Sequence, residues 1–387
     1  MPRKILILIG TRPELVKLAP VIRAISSRPD QLSQLVCFTS QHRELLSQAA
    51  QDFEITANFD LDLMQPGQSL GGFTSRAISA IDLLVDQVRP ELVLVQGDTS
   101  TAFCGALAAF YHQVSVAHVE AGLRTENKYS PFPEELNRRL ITCLADYHFA
   151  PTPRARDSLL RENIPDEHIF VTGNTVIDSL QWMKAKLASY QPTLPDGLME
   201  MLNSRRLILS TGHRRESFGV GLVNICAAIR NVAEQREDVM FIYPVHPNPN
   251  VSDVVRKELG GLANVWLMNP LPYRDFVWLM DRSYIILTDS GGVQEEAPAL
   301  GKPVLVTREV TERLEGVEAG AARLVGTNQM TIETSILELL DERAVYQSMA
   351  QAPNPYGNGQ AGEKIARILA QGGAWHSAGP KSGQPDR

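Results

Sequence analysis

The sequence predicts an α/β protein of two domains, each built on a parallel sheet covered by helices. Three observations lead there. Short β-branched, apolar runs alternate with longer helical patterns from end to end, the arrangement that stacks parallel strands under helices. At 387 residues the chain is longer than one hydrophobic core usually serves, and its 44% hydrophobic content is enough to fill two. Strand after strand also ends in a polar cluster. In open parallel sheets ligands bind outside the carboxyl ends of the strands, where loops meet helix N-termini with free backbone N–H groups.

Taken in order, the expected strand Lys4–Ile9 runs into Gly10-Thr11-Arg12-Pro13-Glu14, and Leu35–Thr39 is followed by Gln41-His42-Arg43. Leu92–Gln96 leads to Gly97-Asp98-Thr99, and Val114–Val119 to Glu120-Ala121-Gly122. Tyr147–Ala150 precedes Ile169–Thr172, which opens into Gly173-Asn174-Thr175. Further on, Leu207–Ser210 meets Gly212-His213-Arg214-Arg215-Glu216, and Met240–Val245 meets His246-Pro247-Asn248-Pro249. Val265–Met268, Ile285–Thr288 with Asp289-Ser290-Gly291-Gly292, and Val304–Thr307 complete the set. These eleven strands exceed what one such domain normally holds. A helical segment with Trp182 and Lys184 gives way to the Pro-bearing stretch Gln191–Pro195, so domain one is read as 1–172 and domain two as 173–357. From Gly372 the composition turns to Gly, Ser and Pro with charges, which reads as a disordered tail over 372–387. The economical geometry is two sheets facing each other across a cleft, with the ligand between.

A formal charge of −7 gives no general footprint for nucleic acid or anionic membrane, so an anionic ligand must be gripped locally. The longest apolar stretches, such as Ile5 to Ile9, fall far below the ~18 residues a bilayer span needs, and a soluble, unprocessed chain is expected. Cys37, Cys104, Cys143 and Cys226 are far apart with no C-x-x-C pair, and are read as buried free thiols in a reducing cytoplasm.

The loop from Gly10 has one glycine where a dinucleotide fold shows G-x-G-x-x-G, which does not support NAD or FAD. Pro13 just inside a helix start, with Arg12 and Lys17, suits an anionic group; an ordinary strand-to-helix turn with a surface arginine is the alternative. At Ser290, Gly291 and Gly292 paired glycines let backbone amides approach a diphosphate, and Glu296 sits where it could accept from ribose hydroxyls. A plain N-cap by Asp289 or Ser290 is the competing reading. Asp98, Glu120 and Glu134 stand at or near strand ends in apolar surroundings, where each carboxylate needs a partner or a job. As a trio around one site they are candidates for proton transfer. His213 beside Arg214 and Arg215 reads as an anion clamp rather than a metal ligand, and no metal site is visible. Arg313 either adds a donor or pairs with Glu312 or Glu315.

These clusters resemble the non-hydrolysing UDP-N-acetylglucosamine 2-epimerases of bacterial type, from Lys4 to about Leu369. The matching motifs include Gly10-Thr11-Arg12-Pro13-Glu14, Met64-Gln65-Pro66-Gly67-Gln68, Gly97-Asp98-Thr99, His118-Val119-Glu120-Ala121-Gly122, Pro133-Glu134-Glu135, His213-Arg214-Arg215-Glu216, Asp289-Ser290-Gly291-Gly292 and Asn354-Pro355-Tyr356-Gly357. Each is weak alone, but together and in order they are specific. The resemblance implies a glycosyltransferase-B-like fold of two Rossmann-like domains, with a last helix over about 358–371 crossing back onto domain one. It implies a cytoplasmic homodimer without cofactor that turns UDP-N-acetylglucosamine into UDP-N-acetylmannosamine for envelope polysaccharide. Asp98, Glu120, Glu134 and His213 would then be catalytic. Arg12, Lys17, Phe276, Ser290, Gly291, Gly292, Glu296 and Arg313 would hold the substrate. A second UDP-N-acetylglucosamine would act as activator at Gln41, Gln68, Arg214 and His246. Two departures stand out: Leu314 and Ser217 replace the family's usual proline and asparagine, without removing a charge. A related epimerase acting on a UDP-diacetamido-uronic acid, or a glycosyltransferase of the same fold, is the alternative.

Overall fold

The computed structural model describes residues 1–39, 43–65, 67–192, 194–214 and 217–371; Gln41 and the 372–387 tail lie outside the described residues. The chain divides into two compact units, Met1–Ser179 with the chain from Gly357 onward, and Leu180–Tyr356.

The first unit carries β1 (Arg3–Ile9), β2 (Leu32–Phe38), β3 (Phe59–Asp60), β4 (Leu92–Gln96), β5 (Ser115–Val119), β6 (Tyr147–Ala150) and β7 (Ile169–Val171). Their order across the sheet is β3-β2-β1-β4-β5-β6-β7, and the pairs are parallel. The second unit carries β8 (Arg206–Thr211), β9 (Val239–Pro244), β10 (Val265–Met268), β11 (Ile285–Thr288), β12 (Val304–Val306) and β13 (Ala322–Leu324). These also pair in parallel, in the order β10-β9-β8-β11-β12-β13. Each unit is thus a Rossmann-like α/β domain. The two strands unforeseen in the sequence, β3 and β13, are two and three residues long, too short for an apolar run to register. Thr39, Thr172 and Thr307, expected inside strands, lie just past the ends, yet each N–H still donates one more ladder bond at 2.9 to 3.0 Å.

The hydrophobic pattern explains why both sheets are covered on both faces. Ile5 to Ile9 and Leu92 to Val95 are fully buried without alternation, as strands between two helical layers must be. In the first unit Leu6, Leu8, Val93 and Val95 pack against Ala102, Ala106 and Ile81. In the second, Ile208, Phe241, Ile285 and Leu287 pack against Ile225, Ile229 and Ile332. The helix Ala361–Gln371 packs on the helix Arg12–Ser26 of the first unit: Asp178 accepts from the N–H groups of Ala361 and Gly362 at 3.2 and 2.8 Å. A side chain at Gly362 would meet Pro20 at 2.8 Å, so only glycine allows that approach.

The thiol expectation needs one correction. Cys37, Cys104 and Cys226 are buried, and burial pushes each thiol up to about 12. Cys143 is exposed, because it lies with Leu136 and Leu140 on the outer stripe of the helix Glu134–Leu144. Among the described residues, no helix is long and apolar enough to cross a membrane.

Candidate active site

In both sheets the strand order reverses beside the first strand, between β1 and β4 in the first unit and between β8 and β11 in the second. At such a switch point neighbouring loops leave in opposite directions and open a crevice at the carboxyl edge.

At the β1 end, Thr11 caps the helix Arg12–Ser26, which opens with half-buried Arg12 and then Pro13. Glu14, 1% exposed, turns its carboxyl back across the switch point. It accepts from Gly10 N–H at 3.1 Å, from Thr11 Oγ1 at 2.8 Å, and from Thr99 Oγ1 of the β4 loop at 2.7 Å. Burial raises its pKa to about 7, against the pull of those donors. One turn on, Lys17 pairs with Glu120. Glu120 also accepts from Gln96 Nε2 at 2.5 Å and Asn174 Nδ2 at 3.1 Å, so the last residue of β4 and the loop after β7 converge on the carboxylate that follows β5. Its backbone has φ 67°, a left-handed conformation costing a non-glycine residue of order 1 kcal/mol, which the three partners hold in place.

Asp98 follows Gly97, and an added side chain at Gly97 would lie 3.7 Å from Glu120 Oε2, which puts the two carboxyl-bearing loops side by side. The Asp98 carboxylate pairs with Arg138 at 2.6 Å, and its main-chain oxygen accepts from Asn137 Nδ2 at 2.9 Å. Asn137 and Arg138 sit three and four residues after Glu134 on one helix, so all three share one face of it. Buried Glu135 steadies Arg138 at 3.1 Å. Glu134 Oε2 is shielded from solvent and has no hydrogen-bond partner among the described residues, an expensive arrangement for a carboxylate. Asp98, Glu120, Glu134 and Lys17 thus occupy one edge of the first unit.

In the second unit the same topology carries different chemistry. Asp289 does not cap the helix Gly291–Ala299; its Oδ2 accepts from His213 N–H at 2.7 Å and Arg214 N–H at 2.8 Å. Its Oδ1 lies 3.1 Å from His213 Nδ1. Burial pushes this carboxyl up, but His213 and the two N–H groups more than offset it, leaving it below the usual range. The His213 ring stacks on His246 with centroids 5.8 Å apart. Burial, then His213, lowers the His246 pKa. Ser290 stands at the cap position without a side-chain cap bond, and Gly291 and Gly292 open the helix, so that helix start carries no side chain of its own. Arg313, 8% exposed, pairs with Glu295 at 3.0 Å and with Glu312. It lies against Gly291, where an added side chain would meet its guanidinium at 2.9 Å. Leu314 is the first residue of the next helix, a position that proline suits but does not require. Glu296 accepts from Tyr273 Oη at 2.5 Å, and half-buried Phe276 lies on the same helix as Tyr273.

Of the remaining expected residues, Gln68 lies in the first unit with its side-chain oxygen accepting from Arg76, and Gln41 is outside the described residues. Sequence reasoning missed Glu14, Gln96, Asn137, Arg138 and Asn174 as site residues. For Glu14 a signal existed, the Thr11-x-x-Glu14 spacing of a capping box.

The comparisons with known proteins agree with one another. Residues 23–370 match the family described as UDP-N-acetylglucosamine 2-epimerase. The UDP-N-acetylglucosamine 2-epimerases of Salmonella typhimurium and Escherichia coli are 50% and 48% identical, over 95% of this chain and 98% of theirs. The crystal structure of the Neisseria meningitidis UDP-GlcNAc 2-epimerase bound to UDP-GlcNAc matches with TM-score 0.89 and 44% identity, over 95% of this chain and 100% of that one. The Methanocaldococcus jannaschii enzyme in complex with UDP-GlcNAc and UDP gives 0.81 and 33%, with the same coverage. Two parallel-sheet units and family likeness across nearly the whole chain lead to one conclusion: this chain belongs to the UDP-N-acetylglucosamine 2-epimerase family.

Proposed function

We propose that this chain interconverts UDP-N-acetylglucosamine and UDP-N-acetylmannosamine by eliminating and re-adding UDP. The observation that carries the chemistry is the gathering of Asp98, Glu120 and Glu134 at one sheet edge, with a Glu134 oxygen shielded and unpartnered. Carbon 2 of the sugar is not beside a carbonyl, so its proton cannot leave to form a stabilised enolate. In our reading a carboxylate takes that proton while the bond from carbon 1 to the diphosphate oxygen breaks and its electron pair leaves with UDP. Carbons 1 and 2 are then doubly bonded and carbon 2 is planar. UDP adds back to carbon 1 as a second acid delivers a proton to the opposite face of carbon 2. Two proton-transfer groups are required, and the trio supplies them. His213 and the glycine-led helix start at Ser290-Gly291-Gly292 take the diphosphate and the charge that grows on it. Glu296, Phe276 and Arg313 shape the nucleotide end, and Lys17 sets the orientation of Glu120.

Proton NMR with UDP-N-acetylglucosamine in heavy water tests this. Deuterium at carbon 2 of both UDP-sugar epimers supports it; free N-acetylmannosamine with UDP, or no exchange by a protein that binds the substrate, overturns it. The same reading includes cytoplasmic supply of envelope polysaccharide precursors and a homodimer, supported by exposed Leu83, Phe110, Tyr111, Leu136 and Leu140 on the first unit. It also includes activation by a second substrate molecule through Gln41, Gln68, Arg214 and His246. Sigmoidal rate curves are expected, and strictly hyperbolic kinetics in both directions would remove the activator.

A further inference from the structure

His118 lies on β5 opposite Val95 of β4 and is fully buried. Its Nε2 is 2.7 Å from the main-chain oxygen of Gly97. A carbonyl can only accept, so Nε2 carries the hydrogen and Nδ1 is bare. That Nδ1 is shielded from solvent and has no partner among the described residues, as is Nδ1 of His148, its register neighbour on β6. Burial, above all, lowers the His118 pKa to about 4, so the ring stays neutral near neutral pH and keeps this tautomer. Gly97 itself has φ 70° and donates its N–H to Val119 O at 3.0 Å. The peptide joining Gly97 to Asp98 is therefore fixed from β5, while Asn137 and Arg138 fix Asp98 from the other side.

We propose that His118 is a positioning residue that aims Asp98, by donating from Nε2 to the Gly97 oxygen and so setting the rotation of the peptide that precedes the carboxylate. The proposal rests on the proton-transfer reading of Asp98. A neutral histidine suits the task because it is rigid and presents its donor at a fixed reach. An apolar group of the same size would leave the Gly97 oxygen unsatisfied in a buried place and free the peptide to turn. A displacement of about 1 Å in a proton-transfer group is enough to cost on the order of 100-fold in rate.

The test compares His118→Gln, His118→Asn and His118→Phe. Glutamine Nε2 stands the same number of bonds from the backbone as histidine Nε2, whereas asparagine Nδ2 reaches only where Nδ1 was. A purely structural role treats the two amides alike. With UDP-N-acetylglucosamine, kcat for incorporation of deuterium at carbon 2 is expected to fall about 30- to 100-fold in H118F and H118N with KM within about 3-fold, and to recover to within about 5-fold of wild type in H118Q. Amide hydrogen exchange of the segment 98–103, measured without substrate, is expected to quicken about 10-fold in H118F and H118N and to stay near wild type in H118Q. Equal kcat losses in H118Q and H118N, or a wild-type kcat in H118F, overturn the proposal. If wild type itself is inert toward this substrate, the epimerase reading fails separately. The exchange measurement then still decides whether His118 orders the Asp98 loop, and unchanged exchange in H118F refutes it.

Discussion

The two units share a strand order and a switch point but line them differently. At the β1–β4 edge the side chains are carboxylates locked to fixed partners: Glu14 to Gly10 and Thr99, Glu120 to Lys17, Gln96 and Asn174, Asp98 to Arg138. At the β8–β11 edge the carboxylate is withdrawn. Asp289 is 1% exposed and spends itself on the His213 and Arg214 N–H groups, leaving a glycine-led helix start in front. The first edge holds groups that can exchange protons, and the second offers backbone donors and an imidazole to an anion. Topology supplies the crevice, and the residues after the strands decide which chemistry it suits, proton exchange or the holding of an anion.

The comparison breaks most readily through kcat. Asp98→Asn, Glu120→Gln and Glu134→Gln are each expected to lower turnover by at least about 100-fold, about 2.7 kcal/mol of transition-state stabilisation, with substrate binding largely kept. Single-turnover rates with isothermal titration of UDP-N-acetylglucosamine separate the two quantities. A variant with wild-type turnover leaves the proton-transfer set.

Much of this contrast is written in the chain order, and some of it is not. Gly97-Asp98 and Asp289-Ser290-Gly291-Gly292 stand out because polar residues interrupt apolar strands at their ends. What the sequence hides is pairing at a distance: Lys17 finds Glu120 across 103 positions, and Thr99 finds Glu14 across 85. Neither partner announces the other, since the register of β1 beside β4 is decided by the whole sheet. Arg138 and Asn137 read as ordinary polar positions of an amphipathic helix, and His118 as one more buried strand residue. β3 and β13 escaped because two or three residues carry no periodicity.

Glu14 provides the next largest effect, and a property the second edge lacks. Its folded pKa is raised to about 7 from 4.5, so the folded state holds the proton more tightly than the unfolded chain does. Stability from this group is therefore lost as pH rises from 4.5 to 7, and the penalty is constant above that. Asp289, with its pKa lowered, contributes the opposite slope, in the acid range. Glu14→Gln removes the titration, so its stability relative to wild type should rise by roughly 2–3 kcal/mol between pH 5 and pH 8. Urea unfolding of the two proteins followed by circular dichroism at both pH values measures it. A difference that does not change with pH would mean that Glu14 is not held protonated by burial.

On the second edge the expected signature is KM. A methyl at Gly291 would press on the Arg313 guanidinium at 2.9 Å, and that side chain cannot swing away from Glu295 and Glu312 without breaking a buried pair. Gly291→Ala should raise KM about 10-fold, or about 1.4 kcal/mol, with kcat within about 3-fold. A variant that instead loses kcat with unchanged KM would erase the division of labour between the two edges.

The smallest effect separates geometry from placement. Lys184 and Asp281 form an ion pair of 2.8 Å, close in length to the 2.6 Å pair of Arg138 and Asp98. The side chains of the first pair are 50% and 31% exposed, those of the second 6% and 25%. Water and salt screen the first, and long mobile side chains lose entropy in holding it, so Lys184→Ala should change stability by less than about 0.5 kcal/mol and leave both kcat and KM alone. The Arg138 pair is shielded, is braced by a fully buried Glu135 and ends on a strand-edge carboxylate, so a similar distance there fixes the Asp98 carboxylate far more firmly. Steady-state kinetics of Lys184→Ala at low and high salt make the check: if this exposed pair moved turnover as the carboxylate variants do, contact length would outweigh location, and the contrast between the two edges would lose its basis.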